Sequence, residues 1–209
     1  MGRQLSTSAV YRLALYSRYL SDLDRDECEY ISSRELAGST GHTAAQVRKD
    51  LTHYGSLGEP GKGYEIGKLR AMLTRVFGKE KVRNVILVGV GNLGLALLAY
   101  RGFQLQQFKI VAAFDRDIRK IGKYVEDVMI HDIRDLDSIV ANASTDIAIV
   151  SVPAHSAQRV VDQLASAGIK AILNFAPANR VSAPEGVKLQ NVDMSIELDR
   201  LYYLLRSPI

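Results

Sequence analysis

The run Val85-Ile86-Leu87-Val88-Gly89-Val90-Gly91-Asn92-Leu93-Gly94 passes from an apolar strand straight into a glycine-spaced turn and the start of a helix. Gly89 permits the tight turn, Gly91 lets backbone approach a pyrophosphate, and Gly94 allows close helix-on-strand packing, while the helix N-terminus offers free N–H groups to an anion. The spacing therefore predicts a βα unit of a doubly wound, dinucleotide-binding parallel sheet. About eighty residues precede it, enough for a separate small domain.

A second signal follows the glycine turn. The apolar segment Lys109–Phe114 ends in Asp115, 26 residues beyond Gly89, where the ribose-binding carboxylate of such folds belongs. A carboxylate there favours NAD(H) over NADP(H), although Arg116 and Lys120 pull the other way. Strands are expected at 128–130, 146–152, 171–175 and 187–192, with helices over 133–143 and 157–167 between them; this βα alternation implies a parallel sheet. Val152-Pro153 and Asn174-Phe175-Ala176-Pro177 fall just past strand ends, where either coenzyme contacts or ordinary turns are expected. The last helix, 195–205, is too apolar for a free surface helix and must bury against this subunit or another.

The first eighty residues read as a winged helix-turn-helix. Residues 8–23 carry Val10, Leu13, Ala14, Tyr16, Leu20 and Leu23 at helical spacing, with Arg12, Ser17 and Asp22 opposite. Ser32 with Glu35 forms one capping box, opening a helix to about Ala37, and Thr43 with Gln46 forms another, opening a helix that Gly55 ends. The second helix is the recognition-helix candidate: Val47 and Leu51 face the core, and Gln46, Arg48, Lys49 and His53 face out. Gln can pair with adenine, Arg with guanine, and Lys suits phosphate. The glycine-dense stretch Gly58–Gly63 with Lys62 and Tyr64 reads as a hairpin wing, and a closing helix over 66–77 exposes Lys68, Arg70 and Arg75. A formal charge of +4 and a pI near 9.1 suit a polyanionic partner, and across residues 43–75 six basic residues against three acidic ones leave a local excess of only +3, so that paired copies on a two-fold duplex site are the sensible arrangement.

No apolar run reaches the roughly 20 residues a membrane helix needs, and the first residues lack a signal-peptide core, so a cytoplasmic chain with no membrane role is expected. Cys28, the only cysteine, sits among Asp24, Asp26, Glu27 and Glu29, which disfavour its thiolate; neither an internal disulfide nor a cysteine-based metal site is expected.

Ala44–Leu51, Gly61–Tyr64, Gly89–Gly94, Phe114-Asp115 with Lys120-Ile121-Gly122, and Leu173–Pro177 together resemble, in order and over nearly the whole chain, the Rex family of redox-sensing transcriptional repressors. The resemblance implies an α/β protein in three parts: a winged helix-turn-helix over 1–80, a Rossmann-like NAD(H)-binding domain over 81–192, and a domain-swapped C-terminal helix over 193–209. It implies a homodimer that binds a pseudo-palindromic DNA operator, keeps it with NAD+ and leaves it when NADH binds, and that is not an enzyme. Coenzyme contacts are then expected from Gly89, Val90, Gly91, Asn92, Leu93, Gly94, Asp115, Lys120, Val152, Pro153, Asn174 and Ala176. DNA contacts are expected from Gln46, Arg48, Lys49, Lys62 and Tyr64. The switch is expected to use Tyr100 beside the nicotinamide and Asp193, paired across subunits with Arg18 or its rival Arg12. Glu59 and Pro60 stand where relatives often carry a basic residue, which leaves the wing's phosphate contact to Lys62.

Two other readings are open. An NAD-dependent oxidoreductase needs an acid or base; Tyr64 and Lys68 have the spacing but precede the glycine motif, and His155 has no legible partner. A pocket for another adenine nucleotide such as coenzyme A is compatible with the sheet, though Asp115 argues against it.

Overall fold

The computed structural model describes residues 5–23, 28–177 and 181–206, and the chain divides between Lys81 and Val82 into two compact units.

In the first unit, helix α1 (Thr7–Asp22) opens on the Ser6 hydroxyl, which accepts from Ala9 N–H at 3.3 Å. Strand β1 (Tyr30–Ile31) leads to α2 (Ser33–Thr40), whose Ser32–Glu35 capping box is complete and whose end is turned by Gly41 at φ 71°. Each such cap is worth about 1 kcal/mol. Helix α3 (Ala44–Thr52) keeps only half of its expected box: Thr43 accepts from Gln46 N–H, while the Gln46 side chain turns to Asp50 instead. Strands β2 (Gly58–Glu59) and β3 (Gly63–Glu65) form the wing, β1 adds to the far side of β3, and α4 (Ile66–Val76) closes the unit.

The face of α1 differs from the one expected. Ala9, Leu13, Tyr16, Ser17 and Leu20 are buried, while Val10 and Ala14 are exposed. The reason is polar: Ser17 Oγ accepts from Lys79 Nζ at 2.9 Å, and the half-buried Arg12 pairs with Asp50, so the helix rolls to bring hydroxyl and guanidinium inward. Arg70 is likewise not a free surface charge, because Nε and Nη2 donate to the carbonyls of Leu20 and Leu23 at 2.8 and 2.7 Å and satisfy the open end of α1. Tyr64, expected as an exposed contact, is 8% exposed and joins Leu36, Leu51 and Leu69 in the core; alternation along β3 points it inward.

The second unit is a sheet of order β10-β9-β8-β4-β5-β7-β6. Its strands are β4 (Arg83–Val88), β5 (Phe108–Asp115), β6 (Tyr124–Val125), β7 (Val128–Asp132), β8 (Ile147–Val150), β9 (Ala171–Asn174) and β10 (Lys188–Asn191), all paired parallel except β6, which makes an unforeseen antiparallel hairpin with β7. Alternate residues of β4 serve opposite faces. Ile86 and Val88 pack with Phe114, Val150 and the helices α7 (Leu136–Ala143) and α8 (Ala154–Ser166), whereas Val85 and Leu87 pack with Ile110, Ile149 and the side of α5 (Asn92–Leu98) and α6 (Gly102–Leu105). Two short helices, α5 and α6, thus lie between β4 and β5, with residues 99–101 separating them. Helix α9 (Met194–Arg206) buries none of its residues within the chain.

Candidate functional site

From β4 the chain builds outward through β5 to β7, then crosses back by α7 to β8 on the other side of β4, so the sheet's switch point lies between β4 and β8, above their C-terminal ends. There Ser151 N–H donates to Val88 O at 2.9 Å, and the Ser151 hydroxyl donates to Gly89 O at 2.7 Å, pinning the glycine turn to the neighbouring strand. Gly89 has φ 99°, and a Cβ on it would lie 2.6 Å from Ser151 O; a Cβ on Gly94 would lie 2.0 Å from Gly89 O. Gly91 differs: a Cβ there would meet nothing within 4 Å, which leaves the backbone open to a ligand. The N-terminus of α5 has no side-chain cap, so its amides are available.

Beside the turn lies a cleft of about 280 Å³ lined by Gly89, Gly91, Asp115, Lys120, Val152 and Pro153, together with Ser151, Ser156, Arg116 and Arg159. Asp115 Oδ2 accepts from Val90 N–H at 2.9 Å and from Lys120 Nζ at 3.0 Å, and Oδ1 accepts from Asp117 N–H at 2.9 Å. Lys120 also donates to Val90 O at 2.8 Å. Burial pushes the Asp115 carboxyl up, but the hydrogen bonds from Asp117, Lys120 and Val90 outweigh it and hold the group below the usual carboxylate range. An ionised carboxylate with one acceptor position of Oδ1 unused is suited to a ribose hydroxyl, which donates. Such a lining could hold part of a dinucleotide, with Gly91 and the α5 amides toward a pyrophosphate and Asp115 toward a ribose.

Other expected coenzyme residues lie elsewhere. Val90 is fully buried and takes part through its backbone, and the Asn92 and Leu93 side chains do not line the cleft. Asn174 is fully buried, with Nδ2 donating to Asn191 Oδ1 at 2.8 Å and Oδ1 accepting from Ala176 N–H at 3.0 Å; both Asn174 and Ala176 are committed to the β9–β10 junction rather than to the cleft. Ser151, Ser156 and Arg159 escaped the sequence reading. Their signal was available: Ser151 ends a strand at the switch point, and Ser156 and Arg159 are three apart on the first turns of α8.

Of the residues expected in the switch, Arg12 and Arg18 belong to the first unit and Tyr100 and Asp193 to the second. Tyr100 stacks edge-on against Phe103 with centroids 5.1 Å apart and lines a different depression, shared with Phe108, Ile110 and Val128. These are N-terminal strand residues, so Tyr100 lies at the end of the sheet opposite the coenzyme cleft of its own chain; α5 runs antiparallel to β4 and carries it there. Asp193 caps α9, accepting from Ser195 N–H and Oγ at 2.9 and 2.6 Å, bonds that hold its carboxyl below the usual range. Arg18 is exposed and makes no hydrogen bond or ion pair among the described residues, whereas Arg12 is occupied by Asp50.

On the first unit, Lys49 is exposed and Arg48 Nη1 donates to Ser33 Oγ at 2.9 Å, tying α3 to the start of α2. Lys62 is engaged as well. Its ammonium is 3.3 Å from Glu59 and 5.3 Å from the Tyr30 ring, while Tyr30 OH donates to Glu59 at 3.2 Å. Asp50 is 4% exposed and is the polar centre of the unit. No helix among the described residues is long and apolar enough to cross a membrane.

A helix-turn-helix with a wing, followed in the same chain by a parallel sheet with a dinucleotide-type cleft, defines the class: a nucleotide-responsive DNA-binding protein. Comparison with known proteins is consistent with both halves. Residues 4–52 match the family described as a putative DNA-binding protein N-terminus, and residues 80–178 match the CoA binding domain family. The redox-sensing transcriptional repressor Rex of Listeria welshimeri is 40% identical over 204 residues, covering 98% of this chain and 94% of its own. The crystal structure of RSP in complex with beta-NAD+ and operator DNA superposes with a TM-score of 0.89 at 37% identity, covering 97% of this chain and 93% of that one. RSP in complex with beta-NADH gives 0.85 at 36%, covering 97% and 95%. The chain belongs to the Rex family of redox-sensing transcriptional repressors.

Proposed function

We propose that this protein is a transcriptional repressor that senses the NADH/NAD+ ratio, binding a two-fold operator as a homodimer in the cytoplasm and leaving it when NADH binds. The observation that carries the reading is that similarity to Rex repressors runs through both units, 98% of the chain, rather than through the nucleotide domain alone. The reduced nicotinamide ring is neutral where the oxidised ring is cationic, so an enclosed pocket separates the two by desolvation. In this reading Gly89, Gly91 and Gly94 shape the pyrophosphate seat, Asp115 holds the adenosine ribose with Lys120 as its anchor, and Val152 and Pro153 wall the cleft. Asp115 favours a free ribose hydroxyl over the ribose phosphate of coenzyme A.

Gln46, Arg48, Lys49 and Lys62 face the DNA. Two units bearing this modest positive charge bind better than one, and the uncovered apolar stripe of α9 supplies the means of pairing them. Asp193, at the head of that helix, and the unpaired Arg18 are the charges that meet across subunits when NADH is bound; the pair that Arg12 makes with Asp50 supports Arg18 over Arg12 in this role. Tyr100, distant from the cleft of its own chain, enters only as a group supplied across the dimer interface. Fluorescence anisotropy on a labelled two-fold duplex, titrated with NADH and with NAD+ at fixed salt, tests the reading. Release by NADH and retention with NAD+ are expected; equal behaviour with both, or turnover of NADH without release, refutes it.

A further inference from the structure

Four donors converge on Asp50, on the inner side of α3: Nε and Nη2 of Arg12 at 2.6 and 2.7 Å, the Tyr16 hydroxyl at 3.1 Å, and Nε2 of Gln46 at 2.8 Å. Arg12 and Tyr16 belong to α1, and Tyr16 is fully buried, so the carboxylate is anchored to a neighbouring helix before Gln46 is considered. The Gln46 bond is surplus to what burial of Asp50 requires. It has a directional effect instead. Carboxylate oxygens only accept, so the amide must turn its NH2 toward Asp50 and cannot flip. What remains of the Gln46 side chain is Oε1 and one N–H, with no other partner among the described residues. An acceptor beside a donor in one plane is the pattern that complements N6 and N7 of adenine in the major groove.

We propose that Asp50 is a positioning residue for base recognition: anchored by Arg12 and Tyr16, it orients the Gln46 amide for bidentate pairing with an adenine. The inference rests on the DNA-binding role of α3 proposed above. Gln46 is the specificity-determining residue, and Asp50 acts through it.

The test uses the full-length protein and a duplex site selected by it from a pool with a randomised centre. Each adenine of the site is replaced in turn by 7-deazaadenine, which keeps base pairing and the N6 amino group but lacks the N7 acceptor. Wild type should show one adenine per half-site whose replacement weakens binding on the order of tenfold. Gln46→Ala should abolish that sensitivity. Asp50→Asn, which lets the amide turn round, should reduce it to about threefold or less, with binding to unrelated duplex and its salt slope unchanged. A purely structural Asp50 would instead weaken every duplex alike, and that result, or full sensitivity in Gln46→Ala, overturns the proposal. Should Asp50→Asn fail to unfold cooperatively, Gln46→Asn decides: its amide is too short to bridge Asp50 and a base, so lost sensitivity supports the proposal and retained sensitivity overturns it. Wild type that binds no duplex overturns the proposed function and this inference with it, whereas wild type that binds with no sensitive adenine overturns this inference alone.

Discussion

Leu201→Ala probes whether α9 joins two subunits. Met194, Leu198, Leu201, Tyr202 and Leu205 form one helical stripe, and within a single chain they remain 57–83% exposed. Fully burying a leucine side chain is worth about 1.5–3 kcal/mol, and Leu201 at 57% exposure has slightly more than half of that still to gain, roughly 1–1.5 kcal/mol per copy. Two-fold symmetry doubles it. The substitution should therefore weaken the dimer by about 2–3 kcal/mol, roughly 30- to 150-fold in its dissociation constant. Sedimentation equilibrium over a concentration series reads this directly, with circular dichroism to confirm that the fold is retained. Equal dimer constants for variant and wild type, or a wild type that stays monomeric, would refute the assignment of α9 to an interface.

Gly94→Ala would place a methyl carbon 2.0 Å from Gly89 O and push α5 off the glycine turn; calorimetric NADH affinity should fall at least about tenfold while binding to DNA in the absence of coenzyme persists, and an unchanged affinity would be contrary evidence. Glu59→Gln releases Lys62 from its exposed pair, so duplex affinity at low salt should rise about threefold and the salt dependence should steepen, both measured by anisotropy. Asp50 also sets a pH dependence. Burial raises its carboxyl pKa, but bonds from Arg12, Gln46 and Tyr16 prevail and leave it below the ordinary 3.8. The stability it contributes is full above that ordinary value and is lost as pH falls through the lower folded value. Calorimetric melting temperature should accordingly fall more steeply below about pH 4 in wild type than in Asp50→Asn, and parallel curves would contradict the ion pair.

What could be read in the sequence was what neighbouring residues decide. Capping at Ser32–Glu35, the unbroken apolar run of β4 and the glycine turn are local signals, and each element formed where those signals lie. The missed features join residues far apart in the chain: Arg12 to Asp50 across 38 positions, Arg70 to Leu20 across 50, Ser17 to Lys79 across 62. A buried acid then looks like a surface one, and the polar side of α1 looks like its outer side. Half of the coenzyme cleft was legible because Gly89, Gly91 and Asp115 are placed by strand ends. Asn174 was ambiguous because an amide just past a strand serves a turn as readily as a ligand, and here it bonds Asn191 and Ala176. Tyr100 shows a third case: the direction of α5, fixed by its following β4, already carries that residue to the far edge of the sheet.

Coupling between the two units is the core of the account, and thermodynamic linkage makes it measurable from the coenzyme side. If NADH weakens DNA binding by some factor, DNA must weaken NADH binding by the same factor. Isothermal titration of NADH into the protein alone and into its saturated complex with a two-fold duplex, at one salt concentration, should give NADH affinities that differ by the ratio of the duplex affinities measured with and without NADH. Identical NADH affinity in the two titrations would mean that the coenzyme cleft and the DNA-facing helix do not communicate.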